Sequence, residues 1–229
     1  MRLKRKLIIA IDGPAGSGKS STAKYLADKL KLPYIDTGAM YRSVTLKAMQ
    51  QKIPFSNVTQ LVQIAKKIRI RFASSQKIYM DGKDVTEAIR EPELTKNVVF
   101  IAREPKIRRE MVKKQRLLGK KEGAVMEGRD IGTVVFPKAD YKFYFKASKE
   151  IRAKRRLRDI LNASRLRKGP TLDQVKKDIE KRDRSDRIRK EGALKVAPGA
   201  RVLDTTSLTI PQTVDKILRL IQSDNDGQA

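Results

Sequence analysis

Gly13-Pro14-Ala15-Gly16-Ser17-Gly18-Lys19-Ser20 is the stretch of sequence that decides the fold. It fits the pattern G-x-x-x-x-G-K-[ST], which is typical of a phosphate-binding loop between a strand and a helix. The sequence supplies both neighbours. An apolar run, 7–11, precedes the loop, and the apolar side chains of residues 23–30 recur at helical spacing after it. A chance glycine-rich turn would not come with this context, so we predict that the loop binds phosphate.

The residue types in the loop suit a nucleoside triphosphate. Glycines let backbone N–H groups turn towards phosphate oxygens, and the following helix adds the partial positive charge of its N-terminus. Lys19 can reach the β- and γ-phosphates, and the hydroxyl of Ser20 can bind Mg²⁺. We therefore predict an ATP-binding site formed by residues 13–20 and Ser21, with Mg²⁺ as the cofactor.

Strands and helices alternate along most of the chain. This pattern indicates an α/β fold, in which helices wrap a parallel sheet. The predicted strands of that sheet are 6–11, 33–35, 123–127, 142–146 and 201–204. Two charged helices are predicted over about 150–161 and 172–190, and Thr171 with Gln174 forms a capping box before the second. A last helix is predicted over 210–221, followed by a frayed tail.

A different pattern interrupts this alternation between residues 68 and 81. Residues 68–73 alternate apolar and charged side chains, and residues 77–80 and the turn pair Asp81-Gly82 follow. We predict a small antiparallel hairpin in an inserted subdomain. Pro92 and Pro105 each suit the first turn of a helix.

The composition limits the available chemistry. The chain has 229 residues, which fits one domain, and it contains neither His nor Cys. A disulfide scaffold, a thiolate nucleophile and a Cys/His zinc site are thereby excluded. No apolar run approaches the ~18 residues of a membrane span, and none has the form of a signal peptide. We expect a cytoplasmic protein with no membrane partner.

The formal net charge is +27, which favours anionic partners such as nucleotides or nucleic acids. A third of it falls in residues 151–191, which contain 16 Lys or Arg against 7 Asp or Glu. Carboxylates are too few there to pair with all of the arginines Arg152, Arg155, Arg156, Arg158, Arg165 and Arg167. The 6 Tyr and 6 Phe do not cluster among the basic residues as a stacking platform for nucleic acid would. A nucleic-acid-binding P-loop protein is therefore the less favoured alternative, and no specific nucleic-acid partner is expected.

Three further motifs are candidates for the site of the phosphate acceptor. Residues 36–42 (DTGAMYR) and 127–133 (EGRDIGT) each follow a predicted strand, at the sheet edge beside the phosphate-binding loop. In the third motif, 182–189 (RDRSDRIR), residues 182, 186 and 189 have the i, i+4, i+7 spacing of one helical face. Alone, each could be an ordinary turn or a ladder of surface salt bridges. Together with the loop, they would converge on one crevice.

On these residues the chain resembles the bacterial cytidylate (CMP) kinases, which are P-loop nucleoside monophosphate kinases. The resemblance covers essentially the whole chain and ends with Val-Ala-Pro (196–198) and Asp-Thr-Thr (204–206). It implies transfer of the γ-phosphoryl group of ATP to CMP and dCMP in pyrimidine salvage, by a monomer. It also implies one kinase domain with a core of residues 1–60, 104–150 and 192–223. An NMP-binding insert of about 61–103 and a lid of about 151–191 complete this division.

The resemblance also implies roles for single residues. The CMP-binding positions are Thr37, Arg42, Arg108, Arg129, Asp130, Arg182, Asp186 and Arg189. Arg42, Arg129 and Arg189 would hold the phosphate of CMP, Arg182 and Asp186 its ribose, and Arg108 and Asp130 its cytosine. Lys19, Arg129 and Arg189 are the catalytic candidates. Arg155 and Arg158 are the candidates for a lid arginine that completes the phosphate site on closure.

Two positions depart from the family pattern. Val99 stands where some members have a Ser that helps to read the base, and Glu127 stands where many have Asp. Loss of one neutral hydrogen bond costs about 0.5–1.5 kcal/mol, which is up to roughly tenfold in discrimination. Asn97 is close enough in sequence to compensate. A kinase of broader specificity, acting on both UMP and CMP, is therefore the alternative function.

Overall fold

The computed structural model of the chain describes residues 6–73, 77–163 and 169–226. Its centre is a five-stranded sheet in the order β2-β6-β1-β7-β8, and every neighbouring pair in it is parallel. A second, antiparallel sheet has the order β3-β4-β5. The strands are β1 (Ile8–Asp12), β2 (Tyr34–Asp36), β3 (Ile70–Phe72), β4 (Ile78–Met80), β5 (Lys83–Asp84), β6 (Ala124–Gly128), β7 (Tyr141–Lys146) and β8 (Arg201–Asp204).

Helices cover both faces of the parallel sheet, which confirms the predicted fold class. They are α1 (Lys19–Leu30), α2 (Thr37–Gln50), α3 (Val58–Lys67), α4 (Pro92–Arg103), α5 (Pro105–Glu122), α6 (Lys149–Ala163), α7 (Leu172–Arg187) and α8 (Ile210–Asp226). A short 3₁₀ helix, Ala88–Arg90, precedes α4, and a π-helix, Ile131–Val135, follows β6.

The alternation of side chains along β1 and β6 explains the two layers of the core. Ala10 and Met126 face a large apolar cluster that also takes in α2, α5 and the antiparallel sheet. Ile9, Ile11 and Val125 face the opposite cluster, where α1 and α8 pack on β7 and β8. Because both faces are covered, these strands are apolar almost throughout, as expected for a buried parallel sheet.

Local signals set where the helices begin. Asp36 caps α2, since its side chain accepts a hydrogen bond from the backbone N–H of Ala39 at 2.8 Å. The predicted capping box of Thr171 and Gln174 opens α7. Pro92 and Pro105 are the first residues of α4 and α5, as predicted.

The fold differs from the sequence prediction in four places. The antiparallel element has a third strand, β5, while residues 74–76 of the predicted hairpin lie outside the described residues. Helix α3 was not predicted. Helix α7 ends at Arg187, three residues before the predicted end, so Arg189 lies beyond it. Helix α8 continues to Asp226 where a frayed tail was expected.

Within the described part of the chain, no helix is both long enough and apolar enough to cross a membrane.

The burial of α1 against the sheet predicts a large effect of Leu26→Ala on stability. Leu26 is fully buried in the cluster that includes Phe143. Its truncation should lower the free energy of unfolding by about 2–5 kcal/mol, measured by urea denaturation followed by far-UV circular dichroism. Leu117→Ala is the matched control, because Leu117 is also helical but 71% exposed. Its effect should stay within about 0.5 kcal/mol. Equal losses in both variants would contradict this packing.

Candidate active site

The candidate site lies at the carboxyl ends of three neighbouring strands, β2, β6 and β1, which end side by side in the sheet. Asp12, the last residue of β1, pairs in register with Gly128 of β6, and Asp36 of β2 pairs with Glu127. Each strand then runs directly into one of the sequence motifs. The parallel register therefore brings the phosphate-binding loop and the motifs at 36–42 and 127–133 to one edge of the sheet, as the sequence predicted.

The phosphate-binding loop is held from outside by the two charged helices. Gly16 has φ +73°, and a Cβ atom there would lie 2.6 Å from the backbone oxygen of Arg152. The N–H of Ala15 donates to Asp183 at 3.2 Å, and the guanidinium of Arg152 donates to the carbonyl of Ala15 at 2.9 Å. Arg152 and Asp183 form a buried ion pair at 2.6 Å. Of the arginines that the sequence analysis names as too many to be paired with nearby carboxylates, Arg152 therefore does have a partner.

Lys19 is buried inside this loop. Its ammonium group donates to the carbonyl of Pro14 at 2.7 Å and to the hydroxyl of Ser17 at 3.4 Å. Burial, together with the positive charge of Arg129, lowers the pKa of Lys19 to about 7, against the opposing effect of Glu127. Bound phosphates would supply a strong anionic partner for this ammonium group.

Ser20 and Glu127 offer oxygen ligands at the base of the loop. The hydroxyl of Ser20 donates to Glu127 Oε1 at 2.5 Å, and the hydroxyl of Tyr34 donates to the same oxygen at 3.1 Å. A hydroxyl and a carboxylate beside a phosphate-binding loop fit Mg²⁺, which prefers oxygen ligands and binds through few protein groups plus substrate phosphates. Glu127 thus joins Ser20 as a candidate ligand that the sequence prediction did not include.

Asp12 connects the loop strand to the motif after β6. Its carboxylate accepts hydrogen bonds from the backbone N–H groups of Ile131 at 2.9 Å and Gly132 at 2.7 Å. Burial raises the pKa of Asp12 to about 7 despite these two hydrogen bonds. This residue was not predicted from sequence. Its only signal was an acidic side chain at the end of an apolar strand.

One carboxylate, Asp186, organises the arginines of the site. It accepts from Arg129 Nε at 2.6 Å and from Arg189 Nη2 at 2.6 Å. Although burial acts to raise the pKa of Asp186, the charges of Arg129, Arg189 and Arg182 lower it below its usual value. Arg42 pairs separately with Asp36 at 2.7 Å. Asp186 and Arg189 of the third motif are therefore in contact with Arg129 of the second. Arg182 of the third motif lies near Arg42 of the first.

We call the arginines around Asp186 and Asp36 the arginine cluster; they are Arg42, Arg129, Arg156, Arg182 and Arg189. Two of them, Arg156 and Arg182, lack a direct carboxylate partner among the described residues. Burial lowers the pKa of Arg182 to about 10, and the nearby charges of Arg129, Arg42 and Arg156 act in the same direction. Burial also lowers the pKa of Arg156, and so does the charge of Arg42. Arginines that are withdrawn from water and close to one another indicate a site for an anion.

A separate buried pair lies beside this cluster. Arg108 of α5 donates to Asp130 at 2.5 Å and to the carbonyl of Ala102 at 3.0 Å. Its guanidinium lies over the ring of Tyr41, 5.3 Å from the centroid. Both members of the pair are buried, at 2% and 5% exposure. The two side chains to which the family resemblance gives a base-reading role thus form one buried, hydrogen-bonded pair.

Other predicted residues lie as follows. Thr37 donates to the carbonyl of Glu127 at 2.8 Å, inside the site. Ser21 is exposed on the first turn of α1. Asn97 donates to the carbonyl of Glu93 in its own helix. Val99 is partly buried in the same helix, α4.

The two predicted lid arginines do not join the cluster. Arg155 donates to the carbonyls of Thr205 and Leu208 at 2.6 and 3.3 Å, and Arg158 is exposed. Arg156, which was not among the predicted lid arginines, is the residue of helix α6 that lies near Arg42 and Arg182. Arg165 and Arg167 lie outside the described residues.

A strand–loop–helix phosphate site at the edge of a parallel sheet, facing a cluster of arginines, defines a P-loop kinase. A solved structure of an uncharacterized protein from Eubacterium ventriosum shares this fold, with a TM-score of 0.52 at 15% identity. That match covers 96% of this chain and 99% of the other.

Sequence comparison is more specific. Residues 9–223 match the family described as cytidylate kinase. Relatives named cytidylate kinase in Bacillus cereus and Bacillus thuringiensis are each 44% identical over 224 residues, which is 96% of this chain and 97% of theirs. The chain belongs to the cytidylate kinase family.

The environment of Lys19 predicts that ATP binding depends on pH. Phosphates favour the protonated ammonium group, so a protein whose Lys19 has a pKa of about 7 must take up a proton to bind ATP above that pH. The dissociation constant should rise by up to roughly tenfold per pH unit from about pH 7.5, where ATP itself is fully ionised. Isothermal titration calorimetry with a non-hydrolysable ATP analogue, in buffers of different ionisation enthalpy, measures this uptake.

Lys19→Arg is the control for this experiment. A guanidinium stays protonated, so this variant should bind without proton uptake. Wild-type protein that binds equally well across this pH range would contradict the assignment.

Proposed function

We propose that the protein transfers the γ-phosphoryl group of ATP to the phosphate of CMP, giving ADP and CDP. Membership of the cytidylate kinase family supports this. The single observation that carries it is the set of arginines around Asp186, which faces the phosphate-binding loop with more positive than negative charge. Such a site suits two phosphate groups that must approach each other.

The proposed reaction needs positioning and charge stabilisation. The nucleophile is a phosphate oxygen of CMP, which is largely ionised at neutral pH because its second pKa is near ~6. A general base is therefore not required, which agrees with a chain that has no His or Cys. Guanidinium groups remain charged and bind phosphate through two hydrogen bonds, so Arg42, Arg129 and Arg189 can offset the repulsion between donor and acceptor.

Lys19 and the loop act on the donor side. Lys19 would release Pro14 and Ser17 and donate to the β- and γ-phosphates, while the loop N–H groups bind the remaining oxygens. Mg²⁺, held by Ser20 and Glu127, would neutralise phosphate charge. Exclusion of water by helices α6 and α7 would prevent hydrolysis of ATP.

The Arg108–Asp130 pair gives the acceptor site its preference for cytosine. Cytosine offers an N4 amine as a donor where uracil offers an oxygen acceptor. The Asp130 carboxylate accepts from that amine and repels the uracil oxygen, while Arg108 donates to a ring acceptor. Thr37 would contact the acceptor, and Arg182 with Asp186 would hold the ribose hydroxyls.

Further parts of the proposal follow from the family resemblance. We propose dCMP as a second acceptor, a role in pyrimidine salvage, and a monomer that acts in the cytoplasm. We also propose that the NMP-binding insert of about 61–103 and the lid of about 151–191 move relative to the core. Closure would bring Arg156 of the lid onto the transferred phosphoryl group.

The first test is ADP release from Mg-ATP with CMP, dCMP, UMP, AMP and GMP offered separately. We expect strong preference for CMP and dCMP. In Asp130→Ala that preference should fall while the KM for ATP is unchanged, because Asp130 is paired with Arg108 on the proposed acceptor side of the site. Comparable turnover of UMP by the wild type would favour the broader pyrimidine kinase. Turnover of none of the five would overturn the proposal.

The position of Arg156 predicts a catalytic role that neighbouring arginines do not share. Arg156→Ala should lower kcat by at least about 100-fold, as removal of a group that stabilises transition-state charge does. Arg158→Ala should leave kcat close to the wild-type value, because Arg158 is exposed on the same helix. Steady-state kinetics at saturating ATP and CMP measures both. A larger loss in Arg158→Ala than in Arg156→Ala would reverse the assignment.

A further inference from the structure

Gly192 lies directly against the buried Arg108–Asp130 pair. It belongs to the stretch between α7 and β8 and has φ +66°. A Cβ atom at this position would overlap with Nη2 of Arg108 and Oδ2 of Asp130. These are the two atoms that join in the ion pair. The backbone at residue 192 therefore covers the pair with no space for a side chain.

Contacts on both sides of Gly192 hold it in this position. On one side, the carboxylate of Glu191 accepts from Arg109 Nη2 at 3.0 Å, and Arg109 is the next residue in α5 after the paired arginine. On the other side, the N–H of Leu194 donates to the carbonyl of Asp186 at 2.8 Å, and the side chain of Leu194 is buried. This second hydrogen bond connects the stretch that covers the base-reading pair to the residue whose carboxylate organises the arginines.

We propose that Gly192 is a positioning residue that determines base specificity. We call residues 188–194 the covering segment. Because Gly192 has no side chain, Arg108 and Asp130 can meet edge to edge beneath the covering segment and stay fixed there. This inference rests on the proposed function, in which the pair distinguishes cytosine from uracil.

The physical reason lies in the geometry of hydrogen bonds. Recognition of the cytosine amine needs the Asp130 oxygen within hydrogen-bond distance and at a favourable angle. A methyl group at residue 192 would displace the end of Arg108 or of Asp130, since those atoms occupy its space. The displaced pair would still attract a nucleotide by charge, but it would lose the geometry that rejects uracil.

A second glycine in the chain provides a matched control. Gly199 has φ +71°, so an alanine there meets almost the same backbone strain. The nearest atom to its Cβ position is Nζ of Lys142, at 3.8 Å, which is an ordinary contact. Gly192→Ala and Gly199→Ala therefore differ mainly in the overlap with the Arg108–Asp130 pair.

The test compares kcat/KM for CMP and for UMP, together with the KM for ATP, in the two variants. Gly192→Ala should lower the ratio of CMP to UMP by about tenfold or more with little change in the KM for ATP. Gly199→Ala should keep the wild-type ratio even if its melting temperature falls. The same ratio in both variants would overturn the inference.

A background that lacks both overlapping side chains keeps the test decisive if Gly192→Ala does not fold. Arg108→Ala/Asp130→Ala removes both atoms that a Cβ at residue 192 would meet, so adding Gly192→Ala to it should leave folding unchanged. In that background, the change at Gly192 should no longer alter the CMP to UMP ratio. A further change in the ratio, or a triple variant that unfolds where Arg108→Ala/Asp130→Ala folds, would overturn the inference.

The two proposals fail in different ways. Wild-type protein without a preference for CMP over UMP would overturn the base-reading role and this inference together. A wild type that prefers CMP, with a Gly192→Ala variant that matches Gly199→Ala, would overturn the inference alone.

Discussion

The whole site depends on the Asp12 carboxylate, which joins the end of β1 to the motif after β6. Strand β1 leads into the phosphate-binding loop, and the motif after β6 carries Arg129 and Asp130. Two hydrogen bonds from backbone N–H groups to one buried side chain therefore fix the strand that leads into the phosphate-binding loop relative to the motif at 127–133. The parallel register of β1 and β6 supplies the same constraint along the strands. In phosphoryl transfer, where positioning provides much of the rate, such a rigid connection matters more than any single reactive group.

The second constraint is positive charge that the protein does not neutralise by itself. Lys19 and Arg182 both have lowered pKa values, because burial disfavours their charged forms and other cations lie close by. In a protein without a ligand, this arrangement costs stability. The phosphates of two bound nucleotides would complete the missing ion pairs. The shifts of these two groups therefore have the direction expected of a site built for anions.

Much of this could be predicted from the sequence, because it rests on local patterns. The glycine-rich loop, the capping box before α7 and the strand–helix alternation each depend on residues close together in the chain, and the parallel sheet then brings the motifs to one edge. The contacts that were not predicted join residues far apart in the chain. Asp12 meets residues about 120 positions away, and Arg152 finds its partner in another helix. The position of Arg156 relative to its neighbours depends on how α6 is rotated against α7 and the phosphate-binding loop, which charge composition does not specify.

The two tasks of the site use different physics, and the structure separates them accordingly. Attraction between charges falls slowly with distance, so several long arginine side chains can hold a phosphate without exact geometry. Reading a base depends on hydrogen bonds that weaken steeply when they are misaligned. Arg42, Arg129 and Arg182 keep part of their surface exposed, whereas Arg108 and Asp130 are buried and bonded to each other. In the proposed function, discrimination would rest mainly on this pair, because Val99 offers no side-chain hydrogen bond. Base selectivity would then depend on the backbone that packs over the pair, as inferred for Gly192, and not on a larger number of contacts to the base.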